Sequence, residues 1–255
     1  MKEIIRKTKA RLLQMHYEAG VGHIGGNLSA LDMILYLHHR VLGPDDVFIL
    51  SKGHAAGALY AALWSLGRLA DEDLKQFHRE GTFLSGHPAP GWRTDIPFAT
   101  GSLGHGLSLS CGLALGKRLK KEKGRVFCLL SDGEWNEGST WEGLIFAAHQ
   151  KLDLTVLVDL NGLQGFGATK DVADLGPLED KLRAFGAGVQ SIDGHDMDAL
   201  AAALAREAQG PRVIVARTVK GHGVSFMENK MEWHYLPMTE AQYGQALAEV
   251  GAGLA

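Results

Sequence analysis

Three uninterrupted apolar runs constrain the fold of this chain more than any other feature: Val126-Phe127-Cys128-Leu129-Leu130, Thr155-Val156-Leu157-Val158 and Val213-Ile214-Val215-Ala216. Each has strand length, and none alternates with polar residues, as a strand buried on both faces requires. Val189 to Ile192 is a weaker candidate of the same kind. Helical stretches separate the runs, so the expected fold class is α/β, a mostly parallel sheet with helices on both faces. No internal repeat, low-complexity linker or composition shift divides the 255 residues, and residues 1–255 read as a single domain.

Upstream, Ile5, Thr8, Leu12, Met15 and Ala19 recur at helical steps and predict a helix ending at Gly20 and Gly22. A second helix is expected to start at Ser29, where Ser29-x-x-Asp32 reads as a capping box. Gly22-His23-Ile24-Gly25-Gly26-Asn27 is then a glycine-rich loop that brings a histidine close to something. Gly53-His54 follows the apolar run Val47–Leu50 and opens a small-residue helix from about Ala55 to Leu66.

Composition narrows the function. A net charge of −3 removes a general argument for a nucleic-acid or membrane-surface binder. The basic run Lys117, Arg118, Lys120, Lys121, Lys123, Arg125 reads as the cationic end of a helix more readily than as a phosphate patch. Cys111 and Cys128 form no CxxC, which points to neither a disulfide framework nor a zinc knuckle and fits a reducing cytoplasm. The amino terminus is charged and no apolar run approaches 18 residues, so no membrane span is expected. Glycine is in excess at 33 of 255 residues, about 13% against a usual share of about 7%.

The chemistry is expected at the strand ends. Leu130-Ser131-Asp132-Gly133-Glu134 leaves one strand, a helix of about 15 residues follows, and the next strand ends in Asp159-Leu160-Asn161. If these strands are parallel neighbours, Asp132 and Asn161 leave carboxyl ends about 5 Å apart, at the edge where open α/β sheets bind ligands. A carboxylate and a carboxamide with backbone carbonyls suit Mg²⁺ or Ca²⁺, which leave positions for phosphates. Gly133 and the amides after it suit a diphosphate. Taken alone, Ser131-Asp132-Gly133 reads as a turn and N-cap; the pairing with Asn161 favours the site. No GxGxxG or Walker motif stands in a strand-to-helix setting. Thr100-Gly101-Ser102-Leu103-Gly104-His105-Gly106 opens another small-residue helix, and His23, His54, His87, His105, His195, His222 and His234 each lie near a turn signal. Singly, such histidines are structural; together they predict a polar pocket that handles protons and hydroxyls.

In sequence order, Gly22-His23-Ile24-Gly25-Gly26, Ser51-Lys52-Gly53-His54-Ala55, Gly86-His87-Pro88, the 100–106 loop, Ser131 to Gly138, Asp159 to Gln164 and Trp233-His234 resemble the thiamine-diphosphate half of transketolase. The resemblance implies a thiamine-diphosphate-binding fold and transfer of a two-carbon ketol unit from a ketose or ketose phosphate to an aldose or aldose phosphate. It implies that Asp132 and Asn161 ligate a divalent cation through side chains and Leu163 through its carbonyl. It places His54, Ser102, Leu103, Gly104, Asp132, Gly133, Glu134, Asn161 and His234 against the cofactor. His23 and His87 would face the sugar, with His234 sharing proton work. Glu137 matches a buried glutamate linking two active sites across an interface; on its own it is an ordinary first-turn glutamate. Asp193-Gly194-His195-Asp196 reads as a turn with local hydrogen bonds. Ser131, His105 and His222 depart from the usual residues, which bears on substrate preference more than on cofactor binding.

The family's pyrimidine-binding and C-terminal domains have no counterpart before Ala255. The resemblance therefore implies the N-terminal subunit of a split transketolase, completed by a pyrimidine-domain partner into a heterotetramer. Pentose phosphate and other sugar pathways both stay open. Three other readings are an alpha subunit of a 2-oxo acid dehydrogenase, a non-catalytic cofactor-binding module that regulates a partner, and a metal-dependent phosphohydrolase.

Overall fold

The computed structural model describes residues 1–91, 95–205 and 209–252. In chain order the elements are α1 (Lys2–Ala19), α2 (Ile24–Tyr36), β1 (Val47–Leu50), α3 (Ala56–Ser65), α4 (Asp71–Leu74), α5 (Gly106–Lys120), β2 (Val126–Ser131), α6 (Gly138–His149) and β3 (Leu154–Leu160). There follow β4 (Leu163–Gln164), β5 (Gly167–Ala168), α7 (Thr169–Val172), α8 (Leu178–Ala184), β6 (Gly188–Asp193), α9 (Met197–Ala205), β7 (Arg212–Arg217) and α10 (Glu240–Ala252). Five strands pair in parallel in the order β1-β2-β3-β7-β6, and β4 and β5 form a separate antiparallel hairpin.

The continuous apolar runs follow from cover on both faces. Along β2, Phe127 and Leu129 join the core built with α1, α2 and α3, which includes Leu12, Leu31 and Leu59. Val126, Cys128 and Leu130 point the other way, into a second core with Leu107, Cys111, Leu144 and Leu182. Successive strand residues face opposite sides, so every position between two helical layers must be apolar. Both cysteines are free and buried, and burial pushes the Cys111 thiol up to about 11. The basic run ends α5 as expected: Lys117 Nζ donates to the carbonyls of Asp45 at 2.8 Å and Lys123 at 2.9 Å. Among the described residues no helix is long and apolar enough to cross a membrane.

The start of α2 differs from the sequence expectation. The helix begins at Ile24, so most of the expected loop is its first turns, and Ser29 and Asp32 lie buried inside it. The Asn27 N–H bonds to the His23 carbonyl at 3.2 Å, closing that first turn. Ser29 and Asp32 do not cap because tertiary partners take their side chains. Ser29 Oγ donates to Asp159 Oδ2 at 2.7 Å, and His195 Nδ1 donates to Asp32 Oδ2 at 2.7 Å. The Val219 N–H donates to His195 Nε2 at 3.0 Å, which fixes that hydrogen on Nδ1. The 193–196 turn has its local hydrogen bond, His195 N–H to Asp193 Oδ1 at 2.8 Å, and also ties the β6 and β7 ends to α2.

Candidate active site

Strand register sets the geometry. Ser131 lies opposite Asp159 in the β2–β3 pair, so the residues that follow each strand share one edge of the sheet. The Asp132 carboxylate is 1% exposed and accepts hydrogen bonds from the Gly133 N–H at 2.8 Å, the Gly162 N–H at 2.7 Å and Thr169 Oγ1 at 3.1 Å. Burial, with Asp159 behind it, pushes this carboxyl up to about 6. Burial also works against the charge on Asp159, but Lys52, Thr218 and Ser29 outweigh it and hold that carboxyl below its ordinary value. Lys52 Nζ donates to Asp159 Oδ2 and to the Gly26 carbonyl. Asn161 closes an Asx turn, its Oδ1 accepting the Leu163 N–H at 3.1 Å.

Four histidines converge on the same edge. His23 precedes α2 with φ 65°, a left-handed conformation that is uncommon outside glycine and costly to hold. Asn27 helps to hold it: its Nδ2 donates to the carbonyls of His23 at 2.8 Å and His54 at 3.1 Å, while its Oδ1 accepts the Ala58 N–H. The His23 ring centroid lies 5.8 Å from His54, 6.0 Å from His87 and 5.1 Å from His234. Burial first, then neighbouring imidazoles and lysines, lowers His23 to about 4 and His234 to about 3, and pulls His54 and His87 below the ordinary imidazole value. All four are neutral near pH 7. Lys220 Nζ donates to His234 Nδ1 at 3.0 Å, so the ring hydrogen of His234 sits on Nε2. Burial, then the charge on Lys52, pulls Lys220 down to about 8.

The four histidines, Lys220, Asp132 and Asn161 line one cavity of about 260 Å³. It brings together His23, His54, His87, Leu103, Asp132, Gly133, Asn161, Leu163 and His234 of the residues anticipated from sequence. Ser102, Gly104, Glu134 and Glu137 do not line it. Glu134 is buried behind it, accepting the N–H groups of Ser131 at 2.9 Å and Gly104 at 3.1 Å and the Ser51 hydroxyl. Ser102 is exposed, and Gly104 is buried, its carbonyl accepting from Ser139 Oγ. Glu137 is exposed in this single chain. His105 lies outside the cavity, and His195 and His222 stack at 3.5 Å in a separate cluster with Asp32.

Sequence reasoning missed Lys52, Asp159, Lys220 and Tyr235. Asp159 interrupts an apolar run at a strand end and Lys220 follows β7 to the same edge, so the argument that found Asp132 would have reached both. Tyr235 carried no comparable signal. The site fits a diphosphate cofactor with a hard cation: Asp132, Asn161 and the Leu163 carbonyl are oxygen donors, and Asp132 is a buried carboxyl whose ionised form an added cation would favour.

The fold and site together define an α/β chain of the thiamine-diphosphate-binding fold. Transketolase from Leishmania mexicana superposes with a TM-score of 0.90 at 25% identity, covering 98% of this chain and 41% of that one. The chain belongs to the transketolase family: the family described as transketolase, thiamine diphosphate binding domain, matches residues 2–253. It is 40% identical to a 6-deoxy-6-sulfo-D-fructose transketolase subunit of Clostridium sp. (strain MSTE9), over 91% of this chain and 89% of the relative. It is 35% identical to an apulose-4-phosphate transketolase subunit of Phocaeicola vulgatus, over 96% of this chain and 91% of the relative. Human transketolase is 35% identical over 98% of this chain, which spans 42% of its length.

Proposed function

We propose that this chain is the cofactor-holding subunit of a transketolase, carrying a two-carbon ketol unit from a ketose to an aldose. One observation carries the reading: Asp132 and Asn161 face the same cavity as four neutral imidazoles. Asp132, Asn161 and the Leu163 carbonyl would hold Mg²⁺ or Ca²⁺, and His54, Gly133 and Leu103 would line the thiamine diphosphate. When bound, that cofactor supplies an electron sink for cleaving the ketose. The chain's own part is proton and hydroxyl handling. His23 and His87 present uncharged ring nitrogens to sugar hydroxyls, and His234 offers its Nε2–H while Lys220 holds Nδ1. Glu134 and Gly104 support the site from behind. Glu137 would become buried against another chain.

The chain is proposed to work as one domain, in the cytoplasm, with a partner carrying the pyrimidine-binding part, in a heterotetramer. Two relatives of matching length bear the names of transketolase subunits, which supports this reading. Their names also support testing ketoses other than those of the pentose phosphate route. The experiment is a tagged purification from the source cells, followed by assays for bound thiamine diphosphate and for ketol transfer from xylulose 5-phosphate and other ketoses. A stoichiometric second subunit with ketol transfer is expected. A cofactor-loaded complex that turns over a 2-oxo acid and no ketose would overturn the reading.

A further inference from the structure

The β4–β5 hairpin forms one wall of the cavity mouth. It follows Asn161 directly, carries Leu163 in its first strand and turns through Gly165 and Phe166. Only two residue pairs hold its strands together, Leu163 with Ala168 and Gln164 with Gly167. A hairpin this short is marginal by itself and needs ties to its surroundings. Four ties lie near its base: the Thr169 N–H donates to the Gly162 carbonyl at 2.9 Å, Gln164 Nε2 donates to Asn136 Oδ1 at 2.7 Å, and the Gly162 N–H and Thr169 Oγ1 donate to Asp132 Oδ2 at 2.7 and 3.1 Å.

The tip is tied from the other end of the chain. Tyr235 Oη donates to the Gly165 carbonyl at 2.7 Å. The tyrosine is braced in turn, its N–H bonded to the Glu232 carbonyl at 3.0 Å and its ring centroid 4.8 Å from that of His234. Position 165 complements the hydroxyl sterically. A Cβ there would lie 2.5 Å from Tyr235 Oη, whereas the next atoms, His234 Nε2 and Tyr235 Cζ, are at an ordinary 3.5 Å. The hydroxyl oxygen alone crowds a side chain at this position.

We propose that Tyr235 is a positioning residue that latches the hairpin tip across the cavity mouth, holding the Leu163 backbone and the Phe166 wall in register with Asp132 and His234. This rests on the proposed function for its consequence, since the hairpin would carry one of the cation's oxygen donors. The latch itself is a property of the chain alone.

The test is a double-mutant cycle read by hydrogen exchange on the purified chain. Tyr235→Phe removes the donor and keeps the ring, and exchange of the 163–168 amides is expected to rise roughly 3- to 10-fold, the worth of one hydrogen bond, with β2 amides unchanged. Gly165→Ala in the wild-type background should raise it similarly by displacing the hydroxyl. In the Tyr235→Phe background the same alanine should add little, because the atom it crowds is gone. Unchanged exchange in Tyr235→Phe, or effects that add independently, would overturn the latch. In the assembled enzyme, Tyr235→Phe should raise the KM for thiamine diphosphate several-fold and leave kcat at saturating cofactor within about 2-fold. A fall in kcat with unchanged cofactor KM would overturn the positioning role. If the wild-type complex shows no cofactor dependence while the exchange cycle behaves as described, the functional reading fails and the latch stands.

Discussion

His87 reaches the cavity from a segment outside the helices and strands, so its placement depends on individual contacts. Tyr60 Oη donates to the Ser85 carbonyl at 3.0 Å, and Ser85 Oγ bonds the His87 carbonyl. Burial, then the nearby His78, lowers the His87 ring below its ordinary value and keeps it neutral near pH 7. A neutral imidazole facing a sugar contributes to proton transfer without holding a diphosphate. His87→Ala is therefore expected to lower kcat of the assembled enzyme by about 100-fold, the low end for a general acid or base, while the KM for thiamine diphosphate stays within about 2-fold. Equal losses in steady-state kinetics would place His87 on the cofactor instead. Glu134 acts differently, because it does not line the cavity that holds the histidines. Its carboxylate satisfies the N–H groups of Ser131 and Gly104 and the Ser51 hydroxyl, and alanine there would strand buried donors. Each stranded group costs about 1–3 kcal/mol, so Glu134→Ala should lose roughly 3 kcal/mol or more in urea unfolding. Glu134→Gln, which keeps an acceptor, should lose clearly less; equal losses for the two variants would deny the acceptor role.

At the scale of elements, what was legible in the sequence is what burial writes into a pattern. β2, β3 and β7 show because both faces are covered, and the weaker β6 shows less because its residues are partly exposed. The strand ends followed, and with them Asp132 and Asn161. The start of α2 was not legible. A capping box is a local pattern, and it cannot reveal that Ser29 and Asp32 answer to Asp159 and His195, far along the chain. That Glu134 turns to Ser131, Gly104 and Ser51 was hidden for a related reason: a motif gives order along the chain, not the direction in which a carboxylate points. The approach of loop 100–106 to the turn before α3 was also hidden, and it makes a test. A Cβ on Gly53 would lie 2.6 Å from the Gly101 nitrogen and from the Thr100 carbonyl carbon, backbone atoms with no rotamer to yield. Gly53→Ala should cost about 1–3 kcal/mol through overpacking, or several degrees of thermal midpoint. Gly112→Ala, on the open side of α5 with nothing within 4 Å, should hold the midpoint or raise it. Equal shifts for the two variants would remove the close approach from the account.

For the whole molecule, the buried imidazoles add up to an acid liability. His16 and His38 are lowered to about 4 and His54 well below its ordinary value, each chiefly by burial. In the unfolded chain these rings titrate near 6.5. Between that value and about 4 the unfolded state binds more protons than the folded one, so stability rises with pH and is lost as pH falls through this window. His16 and His38 each cost roughly 2 kcal/mol by pH 5, and His54 acts in the same direction. The partly buried His23, His222 and His234 act in the same direction. Asp132 and Glu134, raised chiefly by burial, act in the opposite sense because the folded state holds their protons more tightly. At about 1.4 kcal/mol by pH 5 for Asp132, against roughly 4 for His16 and His38 together, Asp132 does not reverse the trend. Asp32, Asp46 and Asp159 lie below their ordinary values and titrate beneath the window. The urea midpoint of the chain without cation should therefore fall steeply from pH 7 to pH 5, and His38→Phe should flatten the slope. Added Mg²⁺ with thiamine diphosphate should raise the midpoint more at pH 7 than at pH 5, because cation binding to Asp132 competes with its proton. A midpoint flat across pH 7 to 5 would mean that the buried histidines do not stay neutral, and the neutral-imidazole reading of the cavity would lose its basis.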